Sequence, residues 1–166
     1  MGFFDKAKAF MGGKGMADVS ITVIERQPAA TATFPVTDSV LKGTMVIDVK
    51  QDCTLLATKY ELWLYVKKDG AEHPNFVCSA KDPEPNTSYG EGCLIMPCEL
   101  KAGQSIRQSW LVMDVDLAKV LANNGIHDPN AAVDNPNIRL QVKCIADVKG
   151  SPFDPSAEVD VRLVGG

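Results

Sequence analysis

Few side chains in this chain are equipped for chemistry, and their spacing decides how far each can be taken. Two histidines, His73 and His127, are the only imidazole bases. His73 precedes Pro74 and His127 precedes Asp128-Pro129, so both read as residues of turns. A nucleophilic site needs such a base held beside a serine or cysteine by a third group, and neither histidine sits in a motif of that kind. Cys78, Cys93 and Cys98, with His73, are ligand types for zinc, but the nearest cysteine pair is Cys93-x4-Cys98 and the paired knuckle spacing is missing. The simpler reading is free thiols packed as small hydrophobes. Asp128, Asn130, Asp134 and Asn135 offer oxygen ligands without the Gly and Glu positions of a helix-loop-helix calcium loop. Beside Pro129 and Pro136 they read as turn builders. Gly12-Gly13-Lys14-Gly15 has phosphate-loop composition in the wrong order, because the strand follows it. The sequence therefore predicts no catalytic residue, no metal and no cofactor. A metal- or ligand-dependent enzyme using the 69–98 stretch, with Asn86, Thr87, Ser88 and Tyr89 beside the cysteines, is kept as a minor alternative.

The elements that would position such residues are strands. Of 166 residues, 45% are apolar and 23% charged, ordinary for a globular chain with a core. The dominant period from residue 17 onward is two. Val19, Ile21 and Val23 alternate with Ser20 and Thr22; Tyr60, Leu62, Leu64 and Val66 oppose Lys59, Glu61, Trp63 and Tyr65. Ile138, Leu140, Val142, Cys144 and Ala146 oppose Arg139, Gln141, Lys143 and Asp147, and Val159, Val161 and Leu163 form a last set. Shorter candidates lie at 32–36, 75–80, 92–99 and 104–115, for about eight or nine strands in all. With almost no helix to cover their apolar faces, the strands must cover one another, which predicts a mainly β, two-sheet antiparallel sandwich of immunoglobulin-like or arrestin-like type. The antibody disulfide framework is excluded, since Met96 and Val142 stand where its tyrosine would precede Cys98 or Cys144.

Two stretches break this period. Asp116 to Gly125 reads as a short helix near 116–124, capped by Asp116 and stopped by Gly125. At the amino end, Phe3, Ala7, Phe10 and Met11 fall on one helical face, with Lys6 and Lys8 away from it and Gly12-Gly13 as a hinge. The chain thus divides into an amphipathic helix and hinge over 1–16 and one sandwich domain over 17–166.

Charge separates the same two parts. The net charge is −4, yet residues 1–16 hold Lys6, Lys8 and Lys14 against Asp5, a net of +2 that leaves −6 for the remainder. An acidic body disfavours nucleic acid as a partner. The basic, Phe-rich head suits either a protein surface or an anionic membrane, and Phe3, Phe4, Lys6, Lys8, Phe10 and Met11 are its candidate contact residues. Residues 1–17 lack the apolar run of a secretory signal. The expected location is cytoplasmic, peripheral at the inner membrane if the head binds lipid, with reduced cysteines.

Three pieces together carry a resemblance. Val40-Leu41-Lys42-Gly43-Thr44-Met45-Val46-Ile47-Asp48-Val49 resembles the x-x-G-x-V-x-I strand of arrestin-fold proteins, and a second long strand, Leu55 to Val66, follows it as it does there. Ile138 to Ala146, followed by Asp147-Val148 and then Asp154-Pro155-Ser156, is similar to the end of an arrestin lobe. The Phe-Phe-Lys start and glycine hinge resemble those of bacterial sporulation-control proteins of this fold. Relatives of that kind have two lobes, whereas this length allows one, and Ser109 to Met113 replaces their Pro-rich lobe-end strand. The resemblance implies a non-catalytic scaffold in stress or sporulation-type regulation, with protein partners and self-association into a dimer or higher assembly. A peripheral membrane adaptor using the Phe/Lys helix is the alternative.

Overall fold

The computed structural model describes residues 17–23, 33–82 and 95–166. The expected amino-terminal helix and hinge, the 83–94 stretch with Cys93, and residues 24–32 lie outside them. Nine strands are described: β1 (Ala17–Val23), β2 (Thr33–Pro35), β3 (Leu41–Val49), β4 (Cys53–Lys68), β5 (Ala71–Asp82), β6 (Cys98–Leu100), β7 (Ser105–Val112), β8 (Ile138–Val148) and β9 (Ser156–Val164). They form a three-stranded sheet, β1-β3-β7, and a six-stranded sheet, β2-β9-β8-β4-β5, with β6 also on β4. All pairings are antiparallel except the short β2–β9 ladder. The expected sandwich is observed.

β4 is its spine. Sixteen residues long, it takes β8 along one side and β6 then β5 along the other. Its inward residues Tyr60, Leu62, Leu64 and Val66 are 0–3% exposed, and Leu140, Val142, Cys144 and Ala146 of β8 lie beside them. The three-stranded sheet covers this face with Leu41, Met45, Ile47, Trp110 and Val112. Trp110 stacks on Tyr60 across the gap, ring centroids 5.6 Å apart. Inside the core, Tyr60 shares a 2.7 Å hydrogen bond with the Thr58 hydroxyl. Burial pushes the phenol pKa far above its ordinary value, so the group is neutral throughout the physiological range.

Several boundaries differ from the sequence expectation. The 75–80 candidate is a twelve-residue strand, β5, and it takes in His73, which sits in the ladder opposite Val66 rather than in a turn. The alternation fails there for three reasons. β5 is mostly exposed, Pro74 interrupts it, and a register shift makes Val77 an extra residue between Phe76 (opposite Trp63) and Cys78 (opposite Leu62). Since proline has no N–H to give the ladder, Pro74 fits here only with its nitrogen toward the free edge. The 92–99 candidate reduces, in its described part, to Cys98–Leu100, and 104–115 ends at Val112.

The predicted short helix is α1 (Leu117–Asn123). Asp116 accepts from the Lys119 amide at 3.0 Å. Gly125, at φ 81°, closes the other end as the amides of Gly125 and Ile126 return to Ala122 and Leu121. Leu117 and Leu121 are buried, and the Asn124 side chain donates to Asn75 of β5 at 3.1 Å, fixing the helix to the large sheet.

Two substitutions check this construction. Leu62→Ala removes a fully buried side chain from the spine and should cost ~2–5 kcal/mol in urea unfolding. Asp116→Ala should cost only ~1 kcal/mol, because it removes one cap from a seven-residue helix.

Candidate interaction surface

Among the described residues, those singled out for chemistry do not converge. His73 and His127 are both exposed, one on β5 and one after α1. No group of three His, Cys, Asp or Glu residues among the described residues is placed to hold a metal ion. Burial pushes every described thiol up: Cys78 to about 11, and Cys53, Cys98 and Cys144 upward for the same leading reason. A protonated thiol is a poor nucleophile and a poor ligand. Cys144 is fully buried in the core, as its phase predicts. The oxygen-rich stretch at 128–136 uses its groups locally. Asp128 accepts from the Asn130 amide and caps a 3-10 turn, Asn135 bonds Ala131 and Asn137, and Asp134 pairs with Arg162 at 2.9 Å.

The contact residues proposed at the amino end, Phe3, Phe4, Lys6, Lys8, Phe10 and Met11, lie outside the described residues. What the structure brings together instead is an aromatic cluster on the outer face of the six-stranded sheet. Period two sends Trp63 and Tyr65 of β4 outward, opposite in phase to Leu62 and Leu64. The register sets Phe76 of β5 beside Trp63, with the rings edge to face at 5.4 Å. Phe76 is 52% exposed. Trp63 Nε1 donates to Glu61 at 3.0 Å and the Tyr65 hydroxyl to Gln141 at 3.3 Å, so both polar tips are satisfied within the sheet.

Arg139 of β8 holds this face together. Its guanidinium lies 4.2 Å from the centroid of the Tyr65 ring. It donates to both oxygens of Glu72 on β5, at 2.8 and 3.4 Å, and to Asp160 on β9 at 2.9 Å. One side chain thus spans the outer surface of four strands. Hydrogen bonding to Arg139 lowers the Glu72 pKa, and the same bonds raise that of the arginine. Gln141 belongs to this arrangement too: it stands on the polar phase of β8 yet is only 7% exposed.

Elsewhere, a recess of about 680 Å³ lies between β2 and the start of β3. Phe34, Leu41, Gly43 and Trp110 line it, with Asp38 and Lys42 also in its wall. The indole N–H of Trp110 is buried there without a hydrogen-bond partner among the described residues. Gly43 pairs with Val23 and Thr33 opens β2, so this recess sits at both ends of the stretch 24–32.

The Glu72–Arg139 contact has a defined pH signature. A carboxylate whose folded pKa is depressed adds stability that is complete above its unfolded value, the ordinary 4.5 of a glutamate, and is lost as pH falls through the folded value. The melting temperature of Glu72→Gln should therefore lie below that of the parent chain at pH 7. The two should converge as pH is lowered progressively below 4.5, as scanning calorimetry at several pH values would show.

Comparison with known proteins bears on the fold. No protein-family model matches the chain, and no curated protein sequence does. Among solved structures, it is similar to Spo0M, the sporulation control protein of Bacillus subtilis, with TM-score 0.56 and 14% identity. The match covers 92% of this chain and 51% of that one, so this chain spans about half the length of Spo0M. A protein from Archaeoglobus fulgidus matches at TM-score 0.36 and 10% identity over 89% of this chain and 97% of that one, which carries no weight. The resemblance read from the strand patterns is thus present in three dimensions.

Proposed function

We propose that the chain is a non-catalytic interaction protein of sporulation-control type, acting in the cytoplasm and associating with itself through the outer face of its six-stranded sheet. The observation that carries this reading is the Trp63–Phe76–Tyr65 cluster. Large aromatic and arginine side chains are the groups that dominate protein interfaces, and here three aromatics and Arg139 share one sheet face. Strand pairing and the Arg139 clamp hold them in place before any partner arrives, which reduces the ordering cost of association. The ionisable groups of this face carry both signs, Lys59, Glu61, Lys67, Glu72 and Lys143 among them, a composition that suits a second copy of the same surface better than a strongly charged partner. The fold shared with a sporulation control protein supports a regulatory role. No helix among the described residues is long and apolar enough to cross a membrane.

Size-exclusion chromatography with light scattering tests the reading directly. The full chain should show a mass above that of the monomer, falling toward it on dilution. Trp63→Ser with Phe76→Ser should weaken association by about thirtyfold, the equivalent of ~2 kcal/mol for a lost aromatic anchor. A full chain that stays monomeric at its highest soluble concentration would sink the proposal.

A further inference from the structure

The outer face of the three-stranded sheet carries a different feature. Leu111 (45% exposed), Met113 (57%) and Val40 (42%) are three of the seven large apolar side chains left exposed among the described residues. Leu111 is paired with Lys42 and points outward, since its neighbours Trp110 and Val112 are buried. One step further along the same register, Val40 comes beside Met113. The three side chains form one patch at the end of the sheet where β3 begins. Asp38 and Asp114, both exposed, stand next to it in the chain, and Asp48 lies on the outward phase at the other end of β3.

We infer that this patch is the docking site of the chain's own first 16 residues, with Phe3 and Phe4 seated on Leu111, Met113 and Val40. The reach is right. β1 runs antiparallel to β3, so Ala17, opposite Val49, starts at the end of the sheet far from the patch. The nine steps from Val49 back to Val40 span ~30 Å at ~3.3 Å each. Residues 12–16 cover up to ~17 Å when extended, and a helix over 2–11 adds ~15 Å at 1.5 Å per residue. Their sum brings Phe3, not Phe10 or Met11, to the patch; the latter two fall over the middle of β3, where Val46 faces outward. Chemistry agrees with length through the apolar side chains. The stripe of Phe3, Ala7, Phe10 and Met11 meets an apolar strip, while the charges around it are mixed, Asp38, Asp48 and Asp114 with Lys42 and Arg107, so reach and apolar match carry the assignment. The segment covers its own small sheet and leaves the aromatic face of the large sheet open.

Limited trypsin digestion of the full chain, read by mass spectrometry, tests this inference separately from self-association. Cleavage after Lys6 and Lys8 should be on the order of tenfold slower than after Lys14 in the hinge, because the docked helix must open before it is cut. The ratio should not change on dilution. Leu111→Ser with Met113→Ser, exposed positions that leave the core intact, should bring the three rates together, as should Phe3→Ser with Phe4→Ser. Trp63→Ser with Phe76→Ser should leave the protection in place. Equal cleavage after all three lysines in the parent chain overturns the inference. Protection that vanishes on dilution assigns the segment to a second copy, and protection that appears only with phosphatidylserine vesicles assigns it to a membrane; either result overturns docking within one chain.

Discussion

Every layer of this molecule answers to one constraint: β4 must bury one of its two faces along its whole length. Its sixteen residues present Tyr60, Leu62, Leu64 and Val66 to one side and Glu61, Trp63, Tyr65 and Lys67 to the other. Burying the first set demands a second sheet about 10 Å away, and the three-stranded sheet supplies it, with Trp110 stacked on Tyr60 across the gap. The remaining strands then extend from the spine. β8 pairs over eleven residues, β9 follows β8, and β5 folds back through the turn at Asp69-Gly70. The second face is left to water and to whatever binds there. A side chain such as Arg139 can then bridge β5, β4 and β9 because all three present their polar phase on the same surface.

How far this was legible from the residues differed by element. β8 could be read at once, because Leu140, Val142, Cys144 and Ala146 alternate without a break and the strand is buried between two neighbours. β5 could not, since an outer strand needs no strict alternation and Pro74 and the extra Val77 break what there is. The cap at Asp116 and the glycine stop at Gly125 were local, and local signals survive in a single sequence. The β2–β9 pairing was not local: three residues at 33–35 find a partner at 162–164, and nothing in either segment announces the other.

The candidate surface was half visible. Trp63 and Tyr65 occupy the solvent phase of a strand whose other phase is entirely apolar, and two large aromatics on a wet face are a signal that sequence reading can catch. Phe76 and Arg139 could not be added to them, because their places beside Trp63 and Tyr65 depend on the registers of β5 and β8. Gln141 misled in the same way. Its phase is polar, but neighbouring side chains, with the Tyr65 hydroxyl bonded to it, shut it from water. Histidines and cysteines attracted attention by type, and those among the described residues are not gathered into a site.

Pro74 has a consequence for what the free edge of the large sheet can do. A sheet whose outermost strand offers a full row of donors and acceptors is a seed onto which further strands can add without limit. With no N–H at residue 74, the row is interrupted in the first third of β5. Edge-to-edge extension of the sheet is hindered there, while the broad surface is unaffected. Exposed aromatics on the sheet face can thus coexist with an edge that is a poor template for further strands.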